Sequence, residues 1–275
     1  LRMHLVILLV ALYQWMEGGQ PSSFMGLHID QKRTIIIVQA RMGSTRLPGK
    51  ILKKIMGRPL LEYQIERLKK IKVVDDVVIA TTTNKIDDPL VELCVKLNCS
   101  FFRSSEDDVL LRYFETAVEF NAKFIVRING DCPLIDPNVV ATVIRYFNIN
   151  FKKYDYVSNI LEPSYPIGLH AEVFSMGVLK KANDNATDPI EREHVTPYIY
   201  RNTNLFRLGS VALKDDLSHY RWTVDYPEDF DLVKKIIEGI YPAKVNFDMF
   251  DVINYLKLNP RLMLINNRIH KKQTL

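Results

Sequence analysis

From Thr34 onward, apolar positions recur in two rhythms: unbroken β-branched runs, and stripes at helical spacing. Thr34–Ala40 (TIIIVQA), Val77–Thr82 (VVIATT) and Lys123–Ile128 (KFIVRI) are near-continuous apolar runs, the mark of strands covered on both faces. A shorter strand is expected at Ser100–Phe102. Helical stripes lie between them. Behind Pro59, Leu60, Leu61, Ile65, Leu68 and Ile71 recur at helical spacing, and a basic end complements the helix dipole. Asp88-Pro89 opens a second helix through Leu97, and Asp107–Asn121 reads as a third. Asp136-Pro137 starts a fourth, with Asp at the N-cap and Pro at the first helical position. This alternation predicts βαβ units around a mostly parallel central sheet, an α/β fold.

After Phe151 the rhythm loosens. Strand candidates at Asp155–Ser158, Ala171–Phe174, Phe206–Ala212 and Tyr220–Val224 mix with helices near Val178–Asn183, Pro189–Arg201, Tyr226–Ile240 and Asp248–Leu258. No repeat, low-complexity tract or Gly/Ser linker divides the chain, so residues 34–260 are read as one α/β domain with an elaborated C-terminal half. Residues 1–33 and 261–275 are set apart as an apolar leader and a basic tail.

Leu5–Tyr13 is apolar throughout but well short of the ~20 residues that span a bilayer. Three readings of the leader stand: a non-native or poorly ordered extension, a signal peptide lacking a small-x-small cleavage pattern, or a helix docking on an apolar patch. With 47% apolar and 25% charged residues among 275, the chain is an ordinary globular protein. Its formal charge of +5 is too mild for binding a nucleic-acid backbone by counterion release, though a local cluster gripping a polyphosphate is allowed. Three unpatterned cysteines, Cys94, Cys99 and Cys132, suggest neither a disulfide framework nor a zinc site, and fit a reduced, cytoplasmic compartment.

The most informative stretch is ARMGSTRLPGK, Ala40–Lys50, directly after the first strand. Arg41, Arg46 and Lys50 supply charge, Gly43 and Gly49 let backbone amides approach phosphate oxygens, and Ser44 and Thr45 add hydroxyls. A loop at the carboxyl end of the first strand is where open α/β sheets bind ligands. It is not a Walker loop: the glycine spacing is one too long, Pro48 removes an amide, and Ile51 has no hydroxyl for magnesium. The plain alternative is a basic surface turn ended by Pro-Gly.

NGDCPLIDP, Asn129–Pro137, follows the KFIVRI strand and puts Asp131 on the sheet edge where Arg41 lies. A carboxylate facing a polyphosphate is repulsive unless a divalent cation lies between them, which points to magnesium. The alternative is a turn aspartate capping its own backbone. Cys132 reads as a small filler and Asp136 as a helix cap. In RWTVDYPEDFDLV, Asp225 ends a strand before Pro227. There it is either a metal ligand or an N-cap with Glu228 at the capping-box position. Arg103 and Ser105 in FFRSSEDDVLLRY, Glu172 in YPIGLHAEVF and His194 in EREHVTPYIY are weaker signals, each compatible with a structural role.

In this order, ARMGSTRLPGK, ATTTNKIDD, FFRSSEDDVLLRY, VRINGDCPLIDP, the Glu-His segment and RWTVDYPEDF resemble the cytidylyltransferases of the spore-coat polysaccharide biosynthesis group. These are relatives of the enzymes that make CMP-KDO and CMP-sialic acid. The resemblance runs from Thr34 to Ile240. It implies a Rossmann-like nucleotide-diphosphosugar-transferase fold, a homodimer, and magnesium-dependent activation of a sugar acid by CTP with release of pyrophosphate. Residue by residue, it assigns Arg41, Gly43, Ser44, Arg46 and Lys50 to the triphosphate, and Thr81, Thr82, Arg103 and Ser105 to the nucleoside. Asp131 and Asp225 would hold magnesium, and Glu172 and His194 would lie toward the sugar. Arg41, Lys50, Asp131 and Asp225 would carry the chemistry. Ser104, Leu111 and His170 depart from the family pattern of Gly, Asp and Asp, which bears on base and sugar selectivity. Two other readings keep the fold: a glycosyltransferase using a finished sugar nucleotide, and a nucleotide-binding subunit without activity.

Overall fold

A computed structural model describes residues 33–269. The leader reading, and the last part of the tail, lie outside the described residues. β1 (Thr34–Gln39) is followed by a short hairpin of β2 (Lys54–Ile55) and β3 (Arg58–Pro59). β4 (Asp76–Thr82), β5 (Ser100–Ser104) and β6 (Phe124–Asn129) come next. β7 (Tyr156–Ser158), β8 (Glu172–Ser175) and β9 (Leu208–Ser210) complete the set. The hairpin turns on Met56 and Gly57, both at positive φ (49° and 79°), as the primed two-residue turns require. Its strands are too short for any periodicity to betray them, and the sequence reading has no hairpin there.

The seven-stranded sheet has the order β5-β4-β1-β6-β8-β7-β9. β5, β4, β1 and β6 are parallel; β8 is antiparallel to both β6 and β7, and β9 is parallel to β7. Both faces of the parallel part are covered, which is why those strands are apolar at nearly every position. Ile36 and Val38 face the helices Leu60–Leu68, Asp88–Lys96 and Pro137–Asn150, whereas Ile35 and Ile37 face Val109–Glu119 and Met176–Asn185. The chain leaves β1 toward β4 and β5, then crosses back to β6 on the other side. That reversal leaves a crevice at the carboxyl ends of β1 and β6, where open α/β sheets bind ligands.

A third apolar cluster lies beside the sheet, built from Trp222 and Val224 with the helices Pro227–Ile240 and Met249–Leu258. Leu262, Met263 and Ile265 pack against it, and Asn266 donates to the Arg221 carbonyl and the Asp229 carboxylate. The segment read as the start of a tail is therefore part of the packed body through Ile269, which is itself buried.

Three further expectations change. Tyr220–Val224 is extended, yet it pairs with the chain one residue at a time: Trp222 N–H donates to the Ile167 carbonyl and Val224 N–H to that of Asp131, so no strand forms. The helix expected over Pro189–Arg201 is two, Pro189–His194 and Pro197–Arg201. Val195 at φ 71° ends the first, and Pro197 at the first helical position starts the second behind Thr196 as its N-cap. The strand expected over Phe206–Ala212 shrinks to β9.

Candidate active site

The loop after β1 is shaped by its own backbone and by one buried carboxylate. Ser44 N–H and Gly49 N–H both donate to the Met42 carbonyl, and Gly49 adopts φ 65°. Met42 N–H donates to Asp87 Oδ1 at 2.7 Å, while the other Asp87 oxygen accepts the Thr82 hydroxyl. Asp87, not Asp88, thus ties this loop to the end of β4. Asp88 is the first residue of its helix and pairs with Arg103 at 2.7 Å.

The loop after β6 approaches equally closely. Gly130 N–H donates to the Gln39 carbonyl at 2.9 Å, and a Cβ on Gly130 would stand only 2.5 Å from that same oxygen. The glycine lets Asp131 turn in toward the first loop. Asp225 arrives by a third route. Asp229, at the third position of the following helix, accepts the N–H groups of both Asp225 and Tyr226, and Arg221 binds its carboxylate. Tyr226 is therefore the N-cap, and the capping carboxylate is Asp229 rather than Glu228. This corrects the N-cap alternative for Asp225 and leaves its carboxylate for the crevice.

Three distant segments meet at Lys50. Its Nζ donates to Asp131 Oδ2 at 2.7 Å and to Asp225 Oδ1 at 2.8 Å, and Arg46 Nη2 reaches the same Asp225 oxygen at 3.0 Å. Arg221 holds the other Asp225 oxygen at 2.9 Å. Burial disfavours the Lys50 ammonium, but the two carboxylates outweigh it and hold its pKa above the ordinary lysine value. Burial likewise works against the Asp225 carboxylate, yet Lys50 and Arg46 hold its pKa below the usual range.

A cavity of about 380 Å³ opens over this cluster, with Arg41, Gly43, Ser44 and Arg46 along one wall and His194 at an exposed rim. A second cavity of about 180 Å³ holds His170 and Glu172, and shares Arg127, Asn129, Asp131 and Asp225 with the first. The two chambers thus meet across the carboxylate pair. Both Glu172 oxygens are engaged, one by the Arg127 guanidinium and one by the Tyr156 hydroxyl at 2.6 Å. Cys132 is buried beside Asp131, and burial pushes its thiol well above the ordinary value, so it offers no nucleophile.

Thr81, Thr82, Arg103 and Ser105 line neither cavity. Thr82 is bound to Asp87, Arg103 to Asp88 and the carbonyls of Thr82 and Asn84, and Ser105 Oγ accepts from Asp108 N–H. Sequence reasoning passed over Arg127, Asn129, Gln39 and Arg112. Arg127 carried a usable signal, a charge inside a strand whose neighbours are all buried.

No set of three or more His, Cys, Asp or Glu side chains able to hold a metal occurs among the described residues. The donor set at the crevice is nonetheless the one magnesium uses with nucleotides, one or two carboxylates with the remaining ligands coming from phosphates and water. Asp131 and Asp225 already converge on one cation, the Lys50 ammonium, so the pair fits such an ion.

A doubly wound, mostly parallel sheet with a basic, glycine-containing loop and two carboxylates at its switch point defines a nucleotidyltransferase of the Rossmann-like type. The cytidylyltransferase family model matches residues 35–249, and the chain belongs to that family. It is 32% identical over 233 residues to the spore coat polysaccharide biosynthesis protein SpsF of Bacillus subtilis, covering 82% of this chain and 95% of that protein. It is 27% identical to a 3-deoxy-manno-octulosonate cytidylyltransferase of Chlamydia trachomatis, covering 73% and 92%. The solved structure of a cytidylyltransferase from Leptospira borgpetersenii superposes with a TM-score of 0.80 at 35% identity, covering 84% of this chain and 96% of that one. Among the described residues no helix is long and apolar enough to cross a membrane.

Proposed function

We propose that the protein transfers the cytidylyl group of CTP to a hydroxyl of a sugar acid, releasing pyrophosphate, in the cytoplasm and as a homodimer. The observation that carries this reading is the convergence of Lys50, Arg46, Asp131 and Asp225 at the mouth shared by two cavities. The larger is suited to a nucleotide, and the smaller to an acceptor of sugar size. The similarity to a 3-deoxy-manno-octulosonate cytidylyltransferase supports the acceptor class, and the similarity to SpsF supports a role in cell-surface polysaccharide synthesis.

In this reaction the acceptor oxygen attacks the α-phosphorus, the bond from that phosphorus to the bridging oxygen breaks, and pyrophosphate leaves with the bond's electron pair. The hydroxyl proton passes to solvent. Arg41, Arg46 and Lys50 position the triphosphate and offset the charge that gathers on the leaving group. For Lys50 this means exchanging its carboxylate partners for phosphate oxygens, a short swing for a flexible chain. Asp131 and Asp225 would then hold magnesium, whose contribution is charge neutralisation at the α-phosphate and the leaving pyrophosphate. No side chain of the cluster is a free base, since the carboxylates there are all paired.

The direct test is incubation with CTP, magnesium and a panel of 3-deoxyulosonic and nonulosonic acids, following pyrophosphate and the CMP-sugar by mass spectrometry. Turnover with at least one acid is expected. Silence across the panel, with equal thermal stabilisation by UDP- or GDP-sugars, would instead favour a glycosyltransferase. Against that alternative stands the Asn129-Gly130-Asp131 sequence at the end of β6, which lacks an Asp-x-Asp pair.

A further inference from the structure

A guanidinium that leaves water regains its solvation only from an opposite charge or a full set of acceptors. Most cations around the larger cavity meet that condition. Arg41 faces Glu106, Arg46 faces Asp225, Lys50 lies between Asp131 and Asp225, and Arg127 is bound to Glu172. Arg112 does not. It is 2% exposed, it lines the larger cavity, and no carboxylate among the described residues lies within ion-pairing reach of it. Its Nη1 donates to the Ser105 carbonyl at 2.8 Å, while its Nε is buried with no acceptor.

The carboxylates near it in sequence serve other partners. Asp108, one turn earlier on the same helix, is clamped by Arg192. Glu106 faces Arg41 and Asn84, and Glu115 accepts the Ser104 hydroxyl. Burial, reinforced by the nearby Arg41 charge, holds the Arg112 pKa below the ordinary arginine value. The position resembles an ion site with one partner missing.

We propose that Arg112 is an anion subsite of this cavity, completed by an anionic oxygen of a substrate, either of the nucleotide's triphosphate or of the acceptor's carboxylate. Which anions are available rests on the proposed cytidylyl transfer; the unmet charge does not. The subsite also differs from the loop cations in kind. Arg46 and Lys50 must give up carboxylates to take a phosphate, whereas Arg112 loses nothing on binding.

Calorimetric titration of the full chain with sodium tripolyphosphate, cytidine, CTP and 3-deoxyoctulosonic acid, for the parent, Arg112→Gln and Arg112→Lys, separates the cases. If the triphosphate is the anion, Arg112→Gln binds tripolyphosphate and CTP about 10- to 100-fold more weakly and cytidine as before. If the carboxylate is the anion, the loss falls on the sugar acid alone. Should Arg112→Gln fail to fold, Arg112→Lys carries the test, with a several-fold loss expected on the same ligand. Unchanged anion binding in the folded variant overturns the proposal, and so does a parent that binds neither anion. Tripolyphosphate binding requires no turnover, so a protein that takes it through Arg112 yet consumes no CTP refutes the reaction and keeps the subsite.

Discussion

Replacing Glu172 by leucine tests how the wall between the two chambers is held. Glu172 lies on β8 directly opposite Arg127 on β6, and its side chain is 3% exposed against 10% for Arg127. Its two oxygens serve Arg127 and Tyr156, and Arg127 also reaches Gln39 Oε1 at 3.3 Å. Glu172→Leu therefore strands a guanidinium in the sheet with only a weak amide acceptor. Leaving one member of a buried pair uncompensated costs about 3–5 kcal/mol. For a body of this size that corresponds to a fall in Tm of about 6–20 °C. Glu172→Gln keeps an acceptor for Arg127 and should lose less than half as much. The double variant Arg127→Met/Glu172→Leu removes both charges and should recover most of the loss, because the stranded charge rather than the lost attraction is the dominant cost. The measurement is a double-mutant cycle by denaturant and thermal unfolding. A Glu172→Leu variant within about 1 kcal/mol of the parent refutes the reasoning, and so does a double variant as unstable as both singles together.

Asp131→Asn keeps an acceptor for Lys50, so the fold should survive. Under the proposed reaction, turnover should drop by roughly 10²–10³ through lost electrostatic stabilisation, checked by pyrophosphate release; near-parental kcat would remove Asp131 from the chemistry. Lys50→Met leaves Asp131 and Asp225 facing each other without their cation, so magnesium should raise its Tm more than the parent's, and equal shifts would count against a metal site at that pair. Gly130→Ala pushes a methyl group against the Gln39 carbonyl; about 1–3 kcal/mol of destabilisation is expected by chemical unfolding, and a neutral result would deny the close approach. Glu66 is opposed by burial but bound by Arg58, Lys70 and Tyr241, which take its pKa from 4.5 down to about 2. Because the folded value lies below the ordinary one, its stabilisation is full above about pH 4.5 and fades as pH falls through 2. Glu66→Gln should thus cost about 1–2 kcal/mol near neutrality and almost nothing near pH 2, and a pH-independent difference would contradict this.

The parallel core was legible because burial on both faces writes itself into composition. Thr34–Gln39 and Phe124–Asn129 cannot tolerate polar residues at most positions, so each announces a strand and, through the helices between, a parallel sheet. The Asp136 cap was legible for a local reason too: its carboxylate accepts Asn138 N–H two residues away. Where local signals compete, the reading slipped. Asp225-Tyr-Pro-Glu looks like a cap followed by a capping box, and only the geometry decides that Asp229 satisfies both N–H groups instead. Tyr220–Val224 alternates like a half-exposed strand, yet Arg221 and Thr223 are as buried as Tyr220 and Trp222, and no neighbour runs alongside for more than one pair.

Ion pairing was not legible at all, and the reason is topological. Lys50 meets carboxylates 81 and 175 positions away, a match set by strand order rather than by spacing. The same holds for which arginines are left over. The sequence presents Arg103 and Arg112 as two similar cations in one segment, and the resemblance favoured Arg103. β5 carries Arg103 to Asp88 at the edge of the sheet, whereas Arg112 lies one turn into a helix, at the wall of the cavity, with no carboxylate among the described residues within ion-pairing distance. Charge type and loop position suffice to propose a nucleotide at this sheet edge. Deciding which cation is available to it requires knowing which ones the fold has already neutralised.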